Sequence, residues 1–134
     1  MAIPSGSGSE VLKRISMKAT GAHTTYMDWT VGQTASGNSS DADTEVPANH
    51  IHTILNIIAC NDSGGSRTFN MGIVNDSLTI TAQLMLLTTV SLATKETFSF
   101  NEKIVLYPED ELVITSSDDV IWFYISYLVQ NWTT

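Results

Sequence analysis

From Ile121 to Val129 the chain reads IWFYISYLV, a run of β-branched, aromatic and aliphatic residues that favours a β-strand. Successive side chains of a strand point to opposite faces, which divides this run into two sets. One set is Ile121, Phe123, Ile125, Tyr127 and Val129, and the other is Trp122, Tyr124, Ser126 and Leu128. Both sets are largely apolar, whereas a two-layer β-protein normally leaves one face of each sheet in water. We therefore expect one face of this strand to meet another subunit or an additional chain segment.

The same period-two alternation extends outward through the rest of the chain, interrupted by short polar clusters. The predicted strands are Val11–Ala19, Thr25–Val31, His50–Asn61, Arg67–Val74, Leu78–Leu92, Glu96–Phe100, Lys103–Tyr107, Glu111–Thr115 and Ile121–Val129. Within the fifth, Gln83–Leu87 would also suit a turn of helix. Its threonine-rich flanks favour strand, because β-branched side chains lose rotamer freedom in a helix.

Polar clusters at 61–66, 107–110 and 116–119 predict hairpin turns, so the second half of the chain is expected to be a meander. The polar segment 32–44 is long enough to cross from one sheet to another. Many short strands without a reliable helix predict an all-β fold, an antiparallel β-sandwich of which the jelly roll is one form. We expect a flexible N-terminal arm over residues 1–10 and a single β-sandwich domain over 11–134.

Composition narrows the classes of function. The chain has 134 residues, 43% of them hydrophobic, and a formal net charge of −8. This negative charge disfavours binding to nucleic acid or to an anionic membrane, and an uninterrupted apolar run long enough for a membrane helix is missing. Met1 to Arg14 lacks the apolar segment of a secretory signal. Cys60 is the single cysteine, and its apolar neighbours predict a buried, inert thiol.

The first residues form a Gly/Ser-rich stretch that offers little to bury. Half of the positive charges follow it, at Lys13, Arg14 and Lys18. A mobile basic terminus on an acidic body suits docking onto an acidic neighbour, and a plain disordered tail is the alternative.

A catalytic set is not evident, because the nucleophile-elbow, phosphate-loop and dinucleotide-binding motifs are all missing. A pair of catalytic carboxylates has no local motif, so a small hydrolase or lyase stays a rival. His50 and His52 share a face of their strand, as in some metal sites, but a third ligand would have to come from His23, Cys60 or an acidic loop residue, and an ordinary start of a strand is the simpler interpretation. The carboxylates of Asp41, Asp43 and Glu45 alternate as Ca²⁺ ligands can, although a solvated loop is the simpler interpretation. We predict no catalytic residues, no metal and no cofactor.

A group of acidic residues and a group of aromatic residues could lie at the surface of the protein. Glu109, Asp110 and Glu111 are interpreted as solubilising charge at a hairpin tip. The aromatic residues are either core and interface residues or a sugar-stacking platform. They are Tyr26, Trp29, Trp122, Tyr124 and Trp132.

Four stretches, in this order, resemble small structural proteins of marine and cyanobacterial tailed phages. They are MAIPSGSGSEVLKR at 1–14, VPANHI at 46–51, TFSFNEKIVL at 97–106 and SYLVQNW at 126–132. Such proteins are similar to capsid decoration or cement proteins, which bind the outside of the assembled head, often as trimers, and stiffen it. The resemblance implies a non-enzymatic virion protein on the outer surface of the capsid. Its implied partners are the major capsid protein and further copies of this chain, with a trimer favoured.

We assign two hypothetical surfaces under that resemblance. A capsid-binding arm contains Ile3, Pro4, Lys13 and Arg14, and a subunit interface contains Trp122, Tyr124, Leu128 and Trp132. The alternative function is a tail, baseplate or fibre module that contacts host-surface glycans through the aromatic residues.

Overall fold

In the computed structural model, the described residues are 9–18, 24–27, 29, 35–36, 44–75, 84–117 and 120–132. They form ten β-strands and no helix. The strands are β1 (Ser9–Lys18), β2 (Thr24–Tyr26), β3 (Ala35–Ser36), β4 (His50–Asn61), β5 (Arg67–Asn75), β6 (Leu84–Leu92), β7 (Thr97–Phe100), β8 (Ile104–Leu106), β9 (Asp110–Ser116) and β10 (Ile121–Asn131). Within these ranges no helix is available that could cross a membrane.

The strands form two antiparallel sheets. The front sheet has the order β1-β10-β4-β7, with β8 also paired to β4, and the back sheet has the order β3-β2-β9-β5-β6. Along the sequence the chain alternates between the sheets except at the neighbours β2–β3, β5–β6 and β7–β8. This order is that of a jelly roll, which confirms the predicted antiparallel β-sandwich.

The strand that opened the sequence analysis lies inside the front sheet. β10 pairs with β1 along the whole of that strand, from Ser9 opposite Asn131 to Lys18 opposite Trp122. On its other side it pairs with β4, and the register shifts once, between Ser126 and Tyr127. The inward side chains of β10 contact the back sheet across the core, which explains the apolar composition of one of its two faces.

The core lies between the two sheets and contains inward residues of nearly every long strand. Fully buried members with large side chains include Ile15, Ile54, Ile57, Phe69, Met71, Leu92, Leu106, Leu112, Ile114, Phe123 and Tyr127. The Phe69 ring packs edge-on against Phe123 at 5.2 Å and against Phe98 at 5.9 Å between ring centroids. This cluster joins β5 of the back sheet to β7 and β10 of the front sheet.

The predicted meander is wrong. All three clusters interpreted as hairpin turns connect strands of different sheets: β4 to β5, β8 to β9 and β9 to β10. Glycine, proline and asparagine signal that the chain reverses direction, but this local chemistry does not determine which sheet the next strand joins. The long polar segment before β4 does cross between sheets, as expected, since β3 lies in the back sheet and β4 in the front sheet.

The turn after β4 is held by a buried amide. Asn61 has no exposed surface, and its Nδ2 donates to the carbonyl oxygens of Gly65 at 2.8 Å, Leu92 at 3.2 Å and Ala93 at 3.0 Å. Its Oδ1 accepts from the Ser63 backbone N–H at 3.0 Å. One side chain therefore ties the β4–β5 turn to the β6–β7 connection, and both are crossings between sheets.

Three local predictions need correction. The strand expected at Thr25–Val31 is shorter, because β2 spans Thr24–Tyr26 and Trp29 lies in a turn. The polar segment 32–44 includes β3, which pairs with β2. Of the strand expected at Leu78–Leu92, the described part is β6 from Leu84 onward, and residues 78–83 lie outside the described ranges.

Candidate functional site

The outer face of the front sheet is defined by strand register. Trp122 lies between Lys18 and Cys60, Tyr124 between Ser16 and Ile58, and Leu128 between Leu12 and Thr53. The alternate residues of β10 are buried, so these side chains point away from the core. We call this surface the outer face. Its members are Leu12, Arg14, Ser16, Lys18, Thr53, Asn56, Ile58, Cys60, Thr97, Ser99, Val105, Trp122, Tyr124, Ser126 and Leu128.

The outer face exposes large apolar side chains. The exposed fractions are 69% for Leu12, 48% for Trp122, 46% for Val105 and 37% for Tyr124. Ile58 and Leu128 lie between them and are half-buried. A contiguous apolar and aromatic surface of this kind is typical of protein-binding or ligand-binding sites.

Positive charge borders the apolar surface along β1. The Lys18 ammonium lies 5.3 Å from the centroid of the Trp122 ring, within cation–π range. Between β1 and β10, a shallow depression of about 290 Å³ is lined by Leu12, Lys13, Arg14, Tyr124 and Ser126. The side chains that register places on this side of β1 and β10 are those of Leu12, Arg14, Tyr124 and Ser126, and a guanidinium, a phenol, a hydroxyl and an aliphatic group suit a ligand that combines a carboxylate with apolar surface.

Three of the four residues predicted to form the subunit interface lie on the same face of the front sheet. Trp122, Tyr124 and Leu128 share the outer face, as the alternation predicted. Trp132 lies just beyond the opposite end of β10, where its backbone N–H donates to the Asn49 carbonyl oxygen at 3.1 Å. Trp132 follows Trp122 by ten positions, which corresponds to about 33 Å along a strand. Sequence analysis missed Leu12, Ile58 and Val105, since only pairing of β1, β4 and β8 with their neighbours places them on this face.

The four residues assigned to a capsid-binding arm do not all lie in one segment that the structure describes. Lys13 and Arg14 are exposed residues of β1, so they belong to the folded sheet and not to a mobile terminus. Ser9 and Glu10 also belong to β1. Ile3 and Pro4 lie outside the described residues.

Trp29 is not part of an exposed aromatic platform. It is 7% exposed, and its ring packs edge-on against His52 at 4.7 Å and Tyr127 at 5.0 Å between centroids. Its Nε1 donates to the Thr44 carbonyl oxygen at 2.8 Å. Trp29 therefore closes one end of the core. Of the predicted platform side chains that the structure describes, Trp122 and Tyr124 are exposed and Trp132 is half-buried.

His52 belongs to the same buried cluster. The side chain is 3% exposed, and its Nδ1 lacks a hydrogen-bond partner among the described residues. Burial, followed by the nearby positive charges of His50 and Lys13, lowers the pKa of His52 from 6.5 to about 4. Burial also raises the pKa of the Tyr127 phenol beside it. His52 is thus a neutral packing residue at neutral pH.

The remaining candidates for chemistry are dispersed. His50 and His52 do share a face, with ring centroids 6.4 Å apart, but no group of three metal-ligating side chains occurs in the described part of the chain. Asp41 and Asp43 fall outside that part. Glu111, expected as a solvated charge, is fully buried and its Oε2 accepts from the Thr44 hydroxyl at 2.6 Å. Cys60, expected to be buried, is half-buried because alternation turns it toward the outer face.

Comparisons with known proteins do not assign this chain to a protein family. No protein-family model and no curated protein matches the chain. One solved structure with a similar arrangement of strands is that of the Bacillus endospore appendages, which form a novel family of disulfide-linked pili. The TM-score is 0.46 and the sequence identity 11%, and the match covers 100% of this chain and 97% of that one. Another is infectious bursal disease virus, Gx strain, with a TM-score of 0.44 and 11% identity over 91% of this chain and 33% of that one.

A third is the CBM22-1–GH10 part of Clostridium thermocellum xylanase 10B complexed with xylohexaose, with a TM-score of 0.40 and 12% identity over 91% of this chain and 26% of that one. This chain therefore spans about a third of the viral chain and about a quarter of the xylanase chain. The likenesses are too distant to carry an argument about function.

Proposed function

We propose that the protein is a structural virion protein of a tailed phage, which binds the outer surface of the capsid as a decoration or cement protein and stabilises the head. The observation that carries this proposal is the outer face, where Trp122, Tyr124 and Leu12 expose apolar surface on paired strands of the front sheet. The sequence resemblance to small phage structural proteins supports it. We include in the proposal that the chain acts without catalysis or a cofactor and assembles as a homo-oligomer, with a trimer favoured.

A rigid sheet suits this role. Its side chains are held by backbone pairing on both sides of β10, so little conformational entropy is lost when a partner covers them. Exposed tryptophan and tyrosine side chains contribute large apolar area with few rotatable bonds, which makes them effective interface residues. The outer face then buries Trp122, Tyr124 and Leu128 between copies or against the major capsid protein.

The test is electron cryo-microscopy of particles decorated with the recombinant protein. We expect density for the chain at regular positions on the icosahedral lattice. Trp122→Ser combined with Tyr124→Ser is expected to abolish that density. The matched control is Leu84→Ser with Met85→Ser, two exposed apolar residues of β6 on the back sheet. Equal occupancy of the two double variants would rule out the outer face as the docking surface.

A separate variant tests the N-terminal arm. Deletion of residues 1–8 leaves β1 intact, and we expect it to weaken attachment to particles without lowering the free energy of unfolding of the body. Unchanged occupancy of the truncated protein would end the proposal for Ile3 and Pro4.

A second candidate function is a tail, baseplate or fibre module that binds host-surface glycans. It is favoured by Trp122 and Tyr124, which lie two residues apart on one strand and face solvent together. Flat aromatic side chains so placed can stack on sugar rings. Binding in a glycan array that is lost in Trp122→Ser and kept in Leu84→Ser, with no density on the head, would favour this function over decoration.

A further inference from the structure

We infer that the free edge of β1 is a docking site for an extended, acidic segment of a partner protein, which adds to the front sheet as a further antiparallel or parallel strand. This inference concerns the edge of the sheet and not its outer face, and it holds whether or not the partner is a capsid protein.

The first observation is an unpaired edge. β1 spans ten residues, Ser9–Lys18, and pairs with β10 along its full length. Among the described residues no strand pairs with its second edge. Since backbone groups of a strand point alternately to its two edges, about half of the β1 N–H and C=O groups are available to an added strand.

The second observation is the distribution of charge. β1 contains three of the six positive residues of the chain, Lys13, Arg14 and Lys18, and Glu10 is one of fourteen acidic residues. Glu10 already accepts a hydrogen bond from Gln130 Nε2 at 2.8 Å. No ion pair forms to Lys13 or Arg14 within the described ranges. An otherwise acidic protein thus presents one basic edge, which selects a partner segment rich in Asp or Glu.

The third observation is that apolar surface flanks these charges on both faces of β1. Val11 is 46% exposed and Leu12 is 69% exposed. The depression lined by Leu12, Arg14, Tyr124 and Ser126 lies beside them. An added strand would cover part of this surface, so backbone hydrogen bonds, charge pairs and apolar burial act together, as they do when peptides extend a sheet.

The experiment uses the full chain and a fluorescein-labelled octapeptide of alternating Glu and Thr, with a matched peptide of alternating Gln and Thr as the control. Fluorescence anisotropy measures the Kd of each. We expect the acidic peptide to bind, and to bind roughly tenfold more weakly to Lys13→Gln/Arg14→Gln. Lys95→Gln/Lys103→Gln has the same net charge and is expected to bind like the unaltered protein. Equal binding of both double variants, equal binding of the two peptides, or no binding at millimolar peptide overturns the inference.

Hydrogen exchange on the unaltered protein gives an independent readout if a variant fails to fold. Saturation with the acidic peptide is expected to slow exchange at alternate amides of β1, those that face the free edge. Protection elsewhere, with β1 unchanged, would also overturn the inference, because the positive charges would then serve only to prevent edge-to-edge pairing.

Discussion

Acidification is expected to destabilise this protein through His52, and the effect can be isolated with one substitution. His52 is buried against Trp29 and Tyr127, and its pKa falls from 6.5 in the unfolded chain to about 4 in the folded one. Between these two values the unfolded chain binds a proton that the folded chain does not. The contribution of His52 is therefore fully present above the unfolded pKa and is lost as the pH falls toward the folded pKa.

The magnitude follows from the two pKa values. Each unit of difference corresponds to about 1.4 kcal/mol, and integration of the two titration curves from about pH 7.5 to about pH 4.5 gives a loss of about 2.5 kcal/mol. This is a large fraction of the total for a domain of this size, since stabilities of about 5–15 kcal/mol are usual. His50 and Lys13 are the charged groups that oppose protonation beside it.

The assay is urea unfolding at both pH values, followed by tryptophan fluorescence. Carboxylates also titrate in this range, so the quantity of interest is the difference between the unaltered protein and His52→Phe. Phe keeps a ring in contact with Trp29 and removes the titrating group. Ile54→Val is the control, because it shortens a buried side chain of the same strand and should lower the free energy of unfolding equally at both pH values. If His52→Phe loses as much stability on acidification as Ile54→Val, burial of His52 is not the cause.

Three other substitutions test the fold. Phe69→Ala should lower the free energy of unfolding by about 3–5 kcal/mol, measured by urea unfolding, because it empties a fully buried site that contacts Phe123; a loss under about 1 kcal/mol would show that the two sheets do not meet there. Asn61→Ala should lower the free energy of unfolding by about 2–4 kcal/mol, because it removes the three hydrogen bonds that a fully buried amide donates to Gly65, Leu92 and Ala93, and an unchanged melting temperature would contradict this. Thr89→Asn should raise the free energy of unfolding by about 1 kcal/mol, because Thr89 has a φ of 50°, a backbone conformation that asparagine adopts more easily than a β-branched residue. A lower urea midpoint would mean that the threonine side chain contributes more to stability than its backbone strain costs.

Residues of the candidate surface were predictable to different degrees. Trp122, Tyr124 and Leu128 could be assigned to one face because alternation within a strand is a local property. Leu12 and Val105 could not, because their place on the same face depends on pairing between strands that are far apart in the sequence. Trp132 was grouped with them on residue type alone, and its position past the end of β10 separates it from the others.

Buried polar residues were the least predictable. Glu111 follows two acidic residues in a turn, so local composition favoured solvent exposure, yet it is fully buried and its Oε2 accepts a hydrogen bond from the hydroxyl of Thr44, 67 residues earlier in the chain. For Trp29 the sequence left a core position and a sugar-stacking platform open, and long-range contacts with His52 and Tyr127 bury it. In each case the partner lies at a distance in the chain that a local pattern does not report.

The sequence by itself determined the all-β class, most strand positions, and the two apolar faces of β10, because side-chain alternation and β-propensity act over a few residues. It also determined the basic character of β1 within an acidic chain. Only the tertiary structure decided which sheet each strand joins, and thereby the jelly roll in place of a meander and the set of residues that share the outer face. The physical reason is that turn residues reverse the chain locally, whereas sheet membership depends on the burial of apolar faces that distant strands share.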